Sequence, residues 1–265
     1  MFVSNMKTII LCGGTGTRMK EETEFKPKPM VMIGNQPILW HIMKIYAAAG
    51  FNEFILALGY KADYIKEFFL NQKAFTNDFT LETKSHEVTY HFAKDKSKDD
   101  FKITFVNTGD KTEPGERILR CKPYISEDEE QFMVTYGDAV SDINIQDLVT
   151  FHTNQHTIGT LTGVHPRSKY GLVSVGDSDK ISGFVEKPVL SEWVNGGFMV
   201  FQREFFDYIH KGELEHEALK RIAEKQQLSL YKHEGFWQSM DTYKEVEDLN
   251  KLWHQENPPW RIWPS

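Results

Sequence analysis

With 265 residues, 40% of them hydrophobic, the chain is long enough to bury one sizeable core, and a single α/β domain with an extension is the economical reading. A surplus of 38 Asp and Glu over 31 Lys and Arg gives a net charge of −7, which excludes a non-specific nucleic-acid binder and requires any anionic ligand to be met locally. Cys12 and Cys121 are too few for a disulfide framework or a zinc knuckle and fit a reducing cytoplasm, and no apolar run approaches the ~20 residues of a membrane span.

Residues 1–5 lack the charged and apolar pattern of a leader, so they read as an extension ahead of one domain over 6–265. Residues 7–11 form an apolar, β-branched run that predicts a buried strand, and Gly13, Gly14 and Gly16 fall where that strand hands over to a loop. Glycine lets consecutive backbone N–H groups turn toward one point, and such a row suits a phosphate. Arg18 adds a planar cation that binds phosphate oxygens in pairs, and Lys28 a compact one on a long stem, so the loop predicts a polyphosphate guest. The stretch lacks the third glycine of the dinucleotide fingerprint and the Gly-Lys-Ser/Thr of a P-loop, which disfavours a nicotinamide-dependent oxidoreductase. Cys12 reads as a small residue in a tight turn rather than a nucleophile.

Pro37 opens a helix whose apolar stripe is Ile38, Leu39, Ile42, Ile45 and Tyr46, and Gly50 ends it. A strand over 53–58 and a helix over 61–69 continue the alternation expected of βαβ units and a mostly parallel sheet. Residues 71–100 loosen into polar, β-leaning pieces and a charged turn. A strand over 101–107, a loop over 108–115, a helix over 117–122 and a strand over 131–136 follow. In open α/β sheets ligands gather beyond the carboxyl ends of the strands, so Asp138, just past the last of these strands, shares an edge with the glycine loop. A bare carboxylate would repel polyphosphate there, and a bridging Mg²⁺ resolves the conflict.

A helix over 145–156 carries His152 and His156, but no Glu completes a His-Glu-x-x-His zinc motif. A strand over 158–164 leads to an antiparallel hairpin over 172–186, expected to rest on the main sheet, and then to Glu186-Lys187-Pro188 and Asn195-Gly196-Gly197. Short helical pieces follow from Glu204. A strand over 228–233, the segment from Gly235 to Asp241, a helix over 242–255 and a Pro-Trp tail complete the chain. That tail is too apolar to hang free and predicts docking on its own body or on a neighbouring subunit.

Gly13-Gly14-Thr15-Gly16-Thr17-Arg18 and Lys26-Pro27-Lys28-Pro29-Met30 resemble the signature of the sugar-1-phosphate nucleotidylyltransferases. Long blocks at Leu39–Tyr46, Thr108-Gly109-Asp110, Thr135-Tyr136-Gly137-Asp138 and Gly235–Thr242 are similar to its cytidylyl-transferring branch, so the resemblance implies CTP as nucleotide. It implies a Rossmann-like, nucleotide-diphospho-sugar transferase fold with a sugar-phosphate-binding hairpin at about 160–200 and a C-terminal segment at about 228–265. Arg18 and Lys28 would be catalytic. Leu11, Cys12, Gly13, Gly14, Thr15, Gly16, Thr17, Arg18, Lys28, Thr112, Arg117 and Gly137 would hold the nucleotide. Tyr136, Tyr170, Gly171, Glu186, Lys187 and Asn195 would hold the phosphorylated acceptor, and Asp138 and Asp241 would hold Mg²⁺.

On the same resemblance the acceptor is α-D-glucose 1-phosphate and the assembly a homo-oligomer, a hexamer, without nucleic acid or membrane. Departures fall mainly on the acceptor side, where the family's Gly-Arg-Phe-Gly becomes Arg167-Ser168-Lys169-Tyr170-Gly171. The same chemistry on another sugar 1-phosphate, or on a phosphorylated amino acid or amide, therefore stays open, as does a non-catalytic nucleotide-binding module. On the nucleotide side the family's Thr-Gly-Gly-Arg becomes Pro114-Gly115-Glu116-Arg117, which adds a carboxylate beside the loop.

Overall fold

The computed structural model describes residues 6–14, 19, 23–91, 99–210 and 212–263. The N-terminal extension expected over 1–5 lies outside them. In chain order the elements are β1 (Thr8–Cys12), β2 (Met32–Ile33), β3 (Gln36–Pro37), α1 (Ile38–Ala48), β4 (Glu53–Leu58), α2 (Ala62–Thr76), β5 (Asp78–Glu82), β6 (Glu87–His91), β7 (Lys102–Asn107) and α3 (Pro114–Cys121). They continue with β8 (Gln131–Tyr136), β9 (Ala139–Ser141), α4 (Ile145–Gln155), β10 (Gly159–Val164), β11 (Leu172–Val175), β12 (Ile181–Val185) and β13 (Val194–Gln202). A π-helical turn (Leu214–Leu219), α5 (Lys220–Glu224), β14 (Leu228–Lys232), β15 (Trp237–Ser239) and α6 (Tyr243–Trp253) close the chain.

Seven strands form the central sheet in the order β14-β10-β13-β8-β1-β4-β7. β1 pairs in parallel with β4 and β8, β4 with β7 and β10 with β14, whereas β13 runs antiparallel to both its neighbours. The mostly parallel Rossmann-like sheet expected from the alternation is therefore present. Successive strand residues point to opposite faces, and both faces are covered. Ile10, Leu56 and Met133 pack with α1 on one face, and Ile9, Ile55 and Val134 pack with α3 on the other.

The structure changes three expectations. α2 continues past Phe69 to Thr76, because the helix lies on the surface with only Ile65 buried and its polar residues face solvent. Residues 78–91 form a hairpin of their own, β5 with β6. The β11–β12 hairpin is likewise a separate two-stranded sheet rather than part of the main one. Its Val175, Ile181 and Phe184 are each more than 60% exposed.

The tail docks on its own body. Trp260 is fully buried, stacked between Phe236 and Trp253, and Trp263 lies edge-on against Trp40. Beneath it, buried His41 donates from Nε2 to the Ile33 carbonyl (3.0 Å) and accepts at Nδ1 from the Trp260 indole N–H (3.3 Å). That network fits only neutral imidazole, since protonation would set N–H against N–H. Burial lowers its pKa from 6.5 to about 4, and burial does the same to His152. His152 is committed to Thr160 and Gln202, not to a metal.

The unfolded chain therefore binds more protons than the native one below pH 6.5. The stability contributed by these neutral imidazoles is complete above that pH and is lost as pH falls toward 4, by about 3 kcal/mol for each histidine. The expected result is a melting temperature that drops between pH 6.5 and 4.5. A flat profile there would contradict it.

Candidate active site

Parallel pairing sets the carboxyl ends of β1, β4, β7 and β8 along one edge, and the chain leaves that edge through small residues: Gly13 and Gly14, Gly59, Thr108, and Gly137. The backbones crowd there. A β-carbon on Gly59 would sit 2.9 Å from the Gly13 Cα, and one on Gly137 3.0 Å from the Leu11 carbonyl oxygen, whereas Gly14 faces open space. A cleft of about 430 Å³ opens at this edge, lined by Leu11, Gly13, Gly14, Lys28, Asp110, Lys111, Thr112, Glu113, Arg117, Tyr136, Gly137 and Asp138, among others.

Lys28 begins a single 3₁₀ turn, Lys28–Met30, with Pro27 before it and Pro29 inside it. The two prolines fix the backbone, so the stem is aimed by its own torsions alone. Its ammonium lies 2.6 Å from Asp138 Oδ2 and 2.8 Å from Asp241 Oδ1. Carboxylates far apart in sequence thus converge on one cation, and Lys28 and Asp138 of this trio line the cleft. Burial alone would lower the lysine's pKa, but Asp138, and after it Asp241, outweigh burial and hold it raised. Burial would raise that of Asp241, yet Lys28, with smaller help from Lys169 and Ser239, holds it below the usual carboxylate range.

Local structure explains why the two aspartates meet. β9, just after Asp138, pairs with β15, just before Asp241, and the Met240 amide donates to the Asp138 carbonyl (2.8 Å). At the far end of that pair His233 Nε2 lies 2.9 Å from Asp142 Oδ1, and Ser141 Oγ donates to the Phe236 carbonyl (2.8 Å), pinning the register. Asp241 and Thr242 donate their amides to Glu245 Oε2 (2.6 and 2.7 Å), while Thr242 Oγ1 accepts from the Glu245 amide, a capping box that starts α6. The Thr242-x-x-Glu245 spacing carries that signal in the sequence, although the sequence reading did not use it.

Arg117 lies at the cleft, but its guanidinium faces protein. It donates to the carbonyls of Gly13 (3.1 Å), Leu58 (3.3 Å), Gly109 (2.7 Å) and Asp110 (3.3 Å), and to the Thr108 hydroxyl (2.6 Å). One side chain therefore ties together the loops after β1, β4 and β7, and Thr112 secures the last of them by donating its hydroxyl to the Thr108 carbonyl. Cys12 is buried with its thiol pKa pushed up by burial, as a packing residue requires.

The acceptor residues named from the sequence are less closely gathered. Tyr136 lines the cleft, donates its hydroxyl to Glu215 and lies 3.5 Å from the Asn195 amide nitrogen. Glu215, delivered by the π-helical turn, had no sequence signal. Tyr170 and Lys187 are exposed and outside the cleft lining, with Lys187 in left-handed backbone (φ 46°) beside Glu186 (3.5 Å), and Gly171 packs against Phe184 and Glu186. Thr15, Gly16, Thr17 and Arg18 lie outside the described residues. Among the described residues no cluster of three or more His, Cys, Asp or Glu forms a metal cage, and no helix is long and apolar enough to cross a membrane.

Known proteins resemble the chain in sequence and in fold. The "Probable glucose-1-phosphate cytidylyltransferase" of Bacillus subtilis (strain 168) is 43% identical over 97% of this chain and 100% of its own. The glucose-1-phosphate cytidylyltransferase of Salmonella typhi is 38% identical over the same shares. A solved UDP-glucose pyrophosphorylase complexed with UDP-glucose is only 16% identical but superposes with a TM-score of 0.68 over 95% of this chain and 99% of its own, which speaks for the fold alone. The profile of the nucleotidyl transferase family matches residues 7–254, which takes in Lys28, Asp138 and Asp241, and the chain belongs to that family.

Proposed function

We propose that this chain transfers a cytidylyl group from CTP to α-D-glucose 1-phosphate, yielding CDP-glucose and pyrophosphate. The observation that carries the reading is the convergence of Asp138 and Asp241 on Lys28, with Lys28 and Asp138 lining a cleft beyond the carboxyl ends of β1 and β8. The near-full-length likeness to two proteins named glucose-1-phosphate cytidylyltransferases supports the choice of nucleotide and acceptor.

Two carboxylates already drawn around one cation are an oxygen donor set that fits Mg²⁺, with phosphate and water completing the shell. Asp138 and Asp241 would hold the ion, which when bound neutralises phosphate charge. The protein's part is positioning and electrostatics. A phosphate oxygen of the acceptor attacks the α-phosphorus, the bond from that phosphorus to the bridging oxygen breaks, and the electron pair leaves with pyrophosphate. No protein nucleophile is needed, because the acceptor oxygen is already ionised and the obstacle is repulsion between anions. Lys28 meets the charge that develops at the α-phosphate, the amides of Gly13 and Gly14 face the phosphates, and Arg18 holds the departing pyrophosphate. Arg117 acts through the loops it ties. Tyr136, Asn195, Glu186 and Lys187 seat the acceptor, with Tyr170 and Gly171 beside them. The exposed apolar side chains of the β11–β12 hairpin support assembly as a homo-oligomer.

The test is pyrophosphate release with CTP, Mg²⁺ and a panel of phosphorylated acceptors, repeated with the other nucleoside triphosphates. Turnover that requires CTP and is fastest with glucose 1-phosphate supports the reading. The acceptor-side departures at Ser168-Lys169-Tyr170 make a different best acceptor the informative alternative. Nucleotide binding without release against any acceptor would overturn the enzymatic reading.

A further inference from the structure

The carboxylate pair is filled by a cation that belongs to the chain. Lys28 Nζ touches Asp138 and Asp241 at once, at 2.6 and 2.8 Å, and its side chain is 14% exposed. Those distances put the ammonium within the volume a dication would need in order to share the same oxygens. A divalent ion seated between Asp138 Oδ2 and Asp241 Oδ1 and the Lys28 ammonium therefore exclude one another sterically as well as by charge.

We infer that Lys28 is a stand-in for the divalent ion, so that metal capture at Asp138 and Asp241 requires the lysine to leave. This inference rests on the metal site proposed above and goes beyond it. Three observations carry it. First, two carboxylates cannot satisfy a six-coordinate, oxygen-seeking ion alone, and among the described residues no third acidic, histidine or cysteine side chain joins them. Second, Pro27 and Pro29 hold the backbone, so departure is a side-chain rotation with the turn left in place. Third, the same cleft is lined by Gly14, which faces open space and receives phosphate in the proposed reaction, while Gly13 beside it is closed off by Arg117.

An incoming triphosphate supplies both missing halves together. It gives the ammonium a new anionic partner, and it brings the additional oxygens that the metal lacks. Nucleotide and divalent ion then enter as a pair, and free metal is turned away. The arrangement also keeps the two carboxylates from facing each other without a counter-ion.

Removing the ammonium while keeping the stem should convert this protein into a better metal binder in the absence of nucleotide. Mn²⁺ serves as the probe, followed by the loss of its free-ion signal in electron paramagnetic resonance. Lys28→Met is expected to bind Mn²⁺ at least tenfold more tightly than wild type without nucleotide, with the gain abolished in Lys28→Met/Asp138→Asn. Equal Mn²⁺ affinity in wild type and Lys28→Met overturns the inference. Titrations with CTP separate the two levels. If Asp138→Asn and Asp241→Asn still weaken Mn²⁺ retention with CTP while Lys28→Met gains nothing, the stand-in role fails and the metal site stands. If neither substitution alters Mn²⁺ binding with or without CTP, the metal site fails and the inference falls with it.

Discussion

Lys28→Ala is expected to lower kcat about 10²–10³-fold, with the fold intact and KM for CTP changed far less. Removing one preorganised contact to charge that develops in the transition state costs roughly 3–4 kcal/mol, and Lys28 is the cleft-lining cation held between Asp138 and Asp241. The loss should not be rescued by Lys28→Arg. A planar fork on a longer stem cannot take the position of a compact ammonium between Asp138 and Asp241. The check is steady-state pyrophosphate release, with circular dichroism to confirm folding. Near-normal turnover in Lys28→Ala would refute the catalytic assignment. Together with the Mn²⁺ experiment it gives an unusual signature, a variant that holds metal more tightly and reacts more slowly.

Trp260→Ala is expected to be the costliest single change to stability, about 3–5 kcal/mol, although the residue is only a few positions from the end of the sequence. Its ring is fully buried, stacked on Phe236 and Trp253, and its indole N–H satisfies His41 Nδ1. Truncation therefore opens a cavity and leaves a buried imidazole nitrogen without a donor. For a chain of this size the melting temperature should fall by roughly 10 °C, at about 2–4 °C for each kcal/mol. Trp260→Phe keeps most of the stacking and loses the hydrogen bond, so its expected cost is about 1 kcal/mol. A melting temperature unchanged in Trp260→Ala would mean that the tail is dispensable to the core.

The parts of the fold that could be read in advance share a physical character. β4 is an apolar run buried after its first residue, and β8 is buried from Phe132 to Thr135, so composition marks them. The β5–β6 hairpin is exposed on nearly all sides, so no inside and outside pattern fixes its pairing, and α2 packs Ala62, Ile65, Phe68 and Phe69 on the core but loses that pattern toward Thr76, where Leu70 and Phe75 are exposed. The tail's apolar residues announced a docking partner, yet nothing in their order distinguished the chain's own α1 and α6 from a second subunit. At the site, Lys28, Asp138 and Asp241 each end a recognisable motif, and the β9–β15 pairing that brings the aspartates together follows from topology. The direction of Arg117 was not legible, because its spacing marks a place beside the cleft and says nothing of the carbonyls around its guanidinium. The π-helical turn that delivers Glu215 to Tyr136 leaves no periodic trace.

That guanidinium has a wider implication for how the site tolerates change. The backbone at or just past the carboxyl ends of β1, β4 and β7 meets at one planar group and shares its donors. Lengthening or shortening any one of them would break the geometry of the other two, so indels there should be incompatible with a working pocket. A substitution at Lys111, whose side chain makes none of these hydrogen bonds, leaves the knot intact, whereas the Glu113 carboxylate adds its charge beside the guanidinium. Latitude for change in this wall of the cleft therefore lies at Lys111.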